Sequence, residues 1–208
     1  MAVELPQYPV NLVLEGRSCL VVGGGVVARR KAEGLLACGA AVTVVAPEVE
    51  PQLAALPVRI ERRRYEEGEA ARYRLVIAAT GDPAVNQRVY DDGEAAGVWV
   101  NAADDPERCS FTLPSVMRRG PLQVTVSTGG HSPAMAVWLR RRLEEELGAE
   151  YEVLLRLLSE IRATIQGAGG STDEVNWTSA LDSNMLDLIR AGDIGKARER
   201  LEACLSSS

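Results

Sequence analysis

The chain has 208 residues, which at about 150 residues per domain leaves room for one or two domains. With 46% hydrophobic and 25% charged residues it has a globular composition, which excludes global disorder. Its 23 Lys+Arg against 29 Asp+Glu give a formal charge of -6, so no chain-wide electrostatic footprint for nucleic acid exists.

The first hundred residues alternate strand and helix signals. Ser18 to Val22 is a short β-branched apolar run that stops at Gly23-Gly-Gly25. A helical pattern follows, with Ala28, Ala32, Leu35 and Leu36 on one face and Gly39 as its stop. Ala41 to Ala46 is the next strand, ended by Pro47; Val58 to Glu61 is a weaker one. Leu75 to Ala79 is a strong strand, and Thr80-Gly-Asp-Pro83 reads as a turn into a helix over Ala84 to Ala96. Gly97 to Asn101 closes the series. Strands alternating with helices predict βαβ units and a Rossmann-like parallel sheet covered on both faces, an α/β fold.

The rhythm changes after Asp105. Phe111 to Leu113 and Leu122 to Val126 read as two strands joined by the polar Met117 to Pro121. Helical patterns cover Pro133 to Leu147 and Tyr151 to Ile165. Gly167 to Thr172 is a linker, two helices over Asp173–Arg190 and Asp193–Leu205 follow, and Ser206 to Ser208 reads as a frayed end.

Cys19, Cys38, Cys109 and Cys204 are scattered without C-x-x-C spacing, which fits reduced thiols in a cytoplasmic protein better than disulfides or zinc. His131 is the single histidine, so a His-rich metal cage is excluded. No apolar run approaches the roughly 20 residues that span a bilayer, and the N-terminus lacks a leader pattern, so no membrane partner is expected.

Gly23-Gly24-Gly25-Val26-Val27-Ala28 matches G-x-G-x-x-A directly after a strand and opening a helix. Gly23 permits the tight turn, Gly25 lets a pyrophosphate approach the backbone, and Ala28 lets helix and strand pack closely. The helix start at Val26 and Val27 offers unpaired N–H groups to phosphates. The alternative is a tight turn with no ligand. A ribose-binding acid belongs at the end of the second strand, yet Ala46 stands there with Glu48 just beyond. Backbone around Pro47, or Glu48 itself, is expected to hold the ribose. With no arginine at that place for a 2′-phosphate, NAD is favoured over NADP.

The loop Val100 to Phe111 follows the fifth strand, at the carboxyl edge where open α/β sheets bind ligands. A carboxylate in it can act as a general base, although Asp104-Asp-Pro106 also reads as a plain turn. The glycine turn with Ala28-Arg-Arg-Lys31, the segment Thr80 to Arg88, the loop Val100 to Pro106 and the segment Val126 to Pro133 occur in that order. Together they make the chain resemble the precorrin-2 dehydrogenase / sirohydrochlorin ferrochelatase family, the dehydrogenase-chelatase module of siroheme synthase, over residues 8 to 147.

The resemblance implies oxidation of precorrin-2 to sirohydrochlorin with NAD as hydride acceptor, and in many members insertion of Fe2+ to give siroheme. It implies a homodimer, and a chain without a methyltransferase domain. Residues 1–113 would form the NAD-binding Rossmann-like domain, 114–147 a β/α dimerisation region and 148–208 a C-terminal helical region. The family's aspartate falls on Asp104, as proton acceptor and transient Fe2+ ligand, with Asp105 second. Thr80 joins Gly23, Gly24, Gly25, Val26, Val27, Pro47 and Glu48 as a cofactor-binding residue.

A polyacidic tetrapyrrole on a net-negative chain requires local positive potential. Arg118 and Arg119 in the joining loop are candidates, as is Arg108. Arg140 to Arg142 pair equally well with Glu144 to Glu146 as a solvated face. Ser127, Thr128, Gly129, Gly130 and His131 lead to Ser132 and Pro133, an N-cap and first helical residue that make an anion site. His131 reads as structural or solvent-facing, or as a contact to substrate carboxylates. Trp99 and Trp138 read as core or interface residues. Two alternatives stay open: a dehydrogenase served by a separate chelatase, and an NAD/NADH-sensing regulatory module.

Overall fold

The computed structural model describes residues 5–103, 105–171, 176–181 and 184–206. The chain divides into two compact units, Met1–Leu113 and Pro114–Ser208.

In the first unit, β1 (Ser18–Val22), α1 (Val26–Leu36), β2 (Ala41–Val45), the single-turn α2 (Pro51–Ala54) and β3 (Arg59–Glu61) come first. They are followed by β4 (Leu75–Ala78), α3 (Pro83–Ala96) and β5 (Trp99–Ala102). All strand pairs are parallel, in the order β3-β2-β1-β4-β5. The chain winds outward from β1 to β3 and then crosses to β4 on the other side of β1. That reversal opens a crevice at the carboxyl ends of β1 and β4, the place where doubly wound sheets take ligands.

Alternation along the strands builds both faces of the sheet. Cys19, Val21, Val42, Val44, Leu75 and Ile77 pack with Ala28, Ala32 and Leu35 of α1 and Leu53 of α2. Leu20, Val22, Val45, Val76, Ala78, Val100 and Ala102 pack on the opposite face with Val89 of α3 and Ala70. Helix α3 lies so close to β5 that a Cβ at Gly93 would meet Val100 at 2.1 Å. The connection from β3 to β4 is pinned by side chains: Arg63 bridges Glu61 and the buried Glu69, and the Tyr65 hydroxyl donates to Asp92 at 2.7 Å. Burial, then the bond to Asp92, pushes the Tyr65 phenol well above its usual range.

Phe111 to Leu113, expected as a strand, is not one. Ser110 spends its amide and hydroxyl on Val100, and Asn101 Nδ2 donates to the Phe111 carbonyl at 2.9 Å. A single antiparallel bridge, Asn101 to Cys109, results instead of a ladder. The Phe111 ring sits edge-on to Trp99, centroids 6.3 Å apart.

In the second unit, β6 (Ser115–Arg119) and β7 (Leu122–Val126) form an antiparallel hairpin. Met117, Arg118 and Arg119 are therefore strand residues, and the joining turn is only Gly120-Pro121, with Gly120 at φ +51. A left-handed glycine followed by a proline makes that two-residue turn and ends the strand there. Helices α4 (Pro133–Glu146), α5 (Glu150–Gly167), α6 (Trp177–Leu181), α7 (Met185–Arg190) and α8 (Ile194–Ser206) follow. Of the single helix expected over 173–190, residues 173–175, 182 and 183 lie outside the described residues; the rest holds α6 and α7, with Asn184 left-handed (φ 58) at the start of α7. Leu154, Leu157, Ile161, Met185, Ile189, Ala197 and Leu201 form one core for α5, α7 and α8. Among the described residues no helix is long and apolar enough to cross a membrane.

Leu20 is fully buried, whereas Leu5 is 78% exposed. Leu20→Ala should lower the unfolding free energy in urea by about 2–5 kcal/mol, and Leu5→Ala by less than about 0.5 kcal/mol. Equal effects would contradict the assigned core.

Candidate functional site

The glycine turn sits where Val22 ends β1, level with Val45 and Ala78. Its three glycines serve different purposes. A Cβ on Gly23, whose φ is +130, would lie 2.3 Å from the Ala79 carbonyl oxygen. A Cβ on Gly24 would lie 1.8 Å from the Glu48 carbonyl oxygen. Both contacts are backbone against backbone, so neither position accepts a side chain. At Gly25 a Cβ would meet nothing within 4 Å. Gly25 is the N-cap of α1 and has no side chain with which to bond the first amides of the helix, those of Val26 and Val27. Val26 and Val27 are half exposed, while Ala28 is buried against the sheet.

The turn after β2 forms the facing wall. Glu50 N–H donates to the Gly24 carbonyl at 2.8 Å, and Arg29 Nε of α1 donates to the Glu50 carboxylate at 2.8 Å. Arg29 also bonds Glu33. Gly24, Gly25, Glu48, Val49 and Glu50 line a groove of about 360 Å³. Pro47 immediately precedes it. Thr80 lies on the other flank, its amide 3.3 Å from where a Gly23 Cβ would be. The Thr80 hydroxyl donates to Asn86 Oδ1 at 2.7 Å, and Asn86, 7% exposed, returns a bond to the Thr80 carbonyl at 3.2 Å. Asp82 caps α3 through the Ala84 amide. Gly23 to Val27, Glu48 and Thr80 are thus brought to one edge of the sheet.

Asp104 lies outside the described residues. On either side of it, the Ala103 amide donates to Ala78 O at 2.8 Å and the Asp105 amide to Ala102 O at 3.3 Å. The loop then turns through the short 3-10 segment Pro106–Arg108. Arg108 donates to the Asp105 carboxylate and to Gln87 Oε1 of α3. The Cys109 thiol is within hydrogen-bonding distance of the Ala102 and Asp105 carbonyls. Burial, opposed in part by the Ala102 carbonyl contact and reinforced by Asp105, holds that thiol above its usual range.

In the second unit, Ser132 caps α4 through the Met135 amide with Pro133 as first helical residue. Thr128 accepts from the Ser132 amide at 3.1 Å and Ser127 from the Gly129 amide at 3.3 Å. Gly129 and Gly130 are both left-handed, at φ +58 and +82, and the exposed His131 closes a turn onto the Thr128 carbonyl. Arg119 donates to the carbonyls of Glu144, Leu147 and Arg118, so its guanidinium caps the C-terminus of α4; Arg118 is exposed. Arg140 pairs with Glu144 one turn on, and Arg142 lies over the half-exposed Trp138. Among the described residues no group of three or more His, Cys, Asp or Glu side chains is placed to hold a metal ion.

Sequence reasoning missed the side chains that set the loops: Asn86, Asn101, and the pairs Arg29–Glu50 and Gln87–Arg108. Asn86 and Asn101 had a legible signal, a polar amide at an otherwise apolar helix or strand position. The two pairs join residues 21 apart in sequence and had none.

A family model described as "Putative NAD(P)-binding" matches residues 10–115, and one described as "Sirohaem biosynthesis protein central" matches residues 119–146. A siroheme synthase of Chromobacterium violaceum is 39% identical over 201 residues, covering 94% of this chain and 43% of that protein. A siroheme synthase of Thioalkalivibrio sulfidiphilus is 40% identical over 206 residues, covering 96% and 42%. The chain therefore spans less than half the length of these curated relatives. Among solved structures, a precorrin-2 dehydrogenase, SirC, superposes with a TM-score of 0.69 at 29% identity, covering 95% of this chain and 98% of that one.

The open Gly25 position and the uncapped α1 start fit the pyrophosphate of a nicotinamide dinucleotide. Gly25→Ala should leave the melting temperature within about 2 °C, since nothing is displaced, but weaken NADH binding in calorimetry by about tenfold or more. Gly24→Ala should lower the melting temperature by several degrees, roughly 4 °C or more, because two backbone segments must separate. Unchanged NADH affinity in Gly25→Ala would remove the cradle.

Proposed function

Since the chain belongs to this NAD(P)-binding family of siroheme-biosynthesis proteins, we propose that it oxidises precorrin-2 to sirohydrochlorin with NAD, and also inserts Fe2+ to give siroheme. The observation that carries the reading is the open, side-chain-free approach to Gly25 at the sheet's switch point, with the turns after β2 and β4 packed against the preceding glycines.

Gly23, Gly24, Gly25, Val26 and Val27 would hold the pyrophosphate, and Pro47 and Glu48 the adenosine ribose. Thr80 would border the nicotinamide half. NAD is the proposed cofactor over NADP, a reading supported by Glu48 and Glu50 among the groove's lining residues and by nearby Arg29, which is already engaged by Glu50 and Glu33. A 2′-phosphate there would meet like charge. When bound, the cofactor supplies a hydride acceptor. The chain's own residues orient the macrocycle and move the proton.

Asp104 is the proposed proton acceptor, and for iron a transient oxygen ligand while pyrrole protons leave. Ser127, Thr128, Gly129, Gly130 and His131, with Arg118, are the proposed contacts to substrate carboxylates. Support comes from the adjacent left-handed glycines and the capped helix start. Arg119 supports that region through α4. Residues 114–147 are the proposed dimerisation region between the NAD-binding part, 1–113, and the helical part, 148–208. The half-exposed Met135 and Trp138 of α4 fit a homodimer contact, and a cytoplasmic location accords with the free thiols of Cys19, Cys38 and Cys109.

An anaerobic absorbance titration of precorrin-2 with NAD tests the reading. Wild type should yield sirohydrochlorin, and Asp104→Asn should bind NAD unchanged while losing about a hundredfold or more in turnover. Wild-type rates in that variant would remove Asp104. NAD binding without any oxidation by the wild type would favour the sensing module. Adding Fe2+ to sirohydrochlorin without NAD should give chelation faster than the uncatalysed background; background rates would leave a dehydrogenase alone.

A further inference from the structure

Arg108 is in a different position from the other arginines of the first unit. Arg29 and Arg63 each bridge two carboxylates. Arg108 instead joins one carboxylate, Asp105 on its own loop, to one neutral oxygen, Gln87 Oε1 on α3. Gln87 is itself oriented, because its Nε2 donates to Asp91 at 2.7 Å one turn along the helix. The side chains of Arg108 and Asp105 are 28% and 27% exposed, so the pair is largely shielded from solvent.

The rest of the loop closes on the same point. The Arg108 amide donates to Asp105 O at 3.1 Å, and the Cys109 thiol lies 3.2 Å from the same carbonyl. Helix α3 begins after the turn in which the Thr80 hydroxyl donates to Asn86. Gln87 is one residue beyond Asn86. The guanidinium therefore connects the loop after β5 to the helix that sets the loop after β4. A lysine cannot make both contacts in this geometry, because its single ammonium lacks the planar fork.

We propose that Arg108 is a positioning residue, clasping Asp105 and the segment Asp105–Cys109 to α3 through Gln87 so that the end of the loop after β5 keeps a fixed place beside that helix. The proposal rests on the functional reading above, because the loop carries the acid assigned there. It gives Arg108 a role that works through Asp105 and Gln87.

Hydrogen exchange on the full chain, without substrate, tests the clasp separately from the chemistry. In Arg108→Leu the amides of Asp105 and Arg108 should exchange about tenfold faster or more, the opening expected when a charge-assisted bond is lost. The Ala79 amide, bonded to Val22 in the sheet, should not change. Gln87→Leu, which keeps the Asp105 ion pair, should speed the same loop amides, and Arg108→Lys should resemble it. In steady-state oxidation of precorrin-2 all three variants should lose kcat with the KM for NAD unchanged, a split that general destabilisation would not produce. Unchanged loop exchange in both Arg108→Leu and Gln87→Leu would overturn the clasp, as would faster exchange with wild-type kcat. Should the wild type itself fail to oxidise precorrin-2, the functional reading falls and the exchange result alone decides whether the clasp exists.

Discussion

Backbone touching backbone at the end of β1 is the constraint on which the rest depends. The turn at Gly23 and Gly24 is wedged between the carbonyls of Ala79 and Glu48, with no space for a methyl group at either residue. That wedge brings the ends of β2 and β4 together around the end of β1, and it aims the start of α1 into the crevice between them. Gly25, the next residue, then stands clear with its helix amides unspent. A helix start that is uncapped and unobstructed is an anion site prepared by the fold.

Around that turn the loops are set less by charge than by amide side chains. Asn86 holds the turn after β4, Asn101 holds the segment after β5, and Gln87 takes one arm of Arg108. These groups keep their hydrogen bonds whatever the pH, and they leave the local field to the carboxylates of the groove and the following loop.

Much of this was legible in the sequence. Alternation of apolar runs and helical faces located the five parallel strands of the first unit, and the glycine spacing located the turn, because both follow from local periodicity. The Ser132-Pro133 helix start was legible for the same reason. What failed was non-local. Phe111 to Leu113 has strand composition, but Ser110 and Asn101 draw it onto β5 as a loop. Arg118 and Arg119 look like turn residues, yet a two-residue hairpin leaves them in β6. Nothing near Arg119 in sequence announces that it caps a helix ending 25 to 28 residues later. Nor does the sequence around Asn184 announce the left-handed conformation with which it opens α7.

The account stands or falls on where the dinucleotide binds. A crystal structure of the chain grown with NADH is the most direct measurement. The pyrophosphate should rest against the amides of Gly25, Val26 and Val27, with its ribose beside Glu48. Density for the dinucleotide at any other edge of the sheet, or its absence at saturating NADH, would contradict the account.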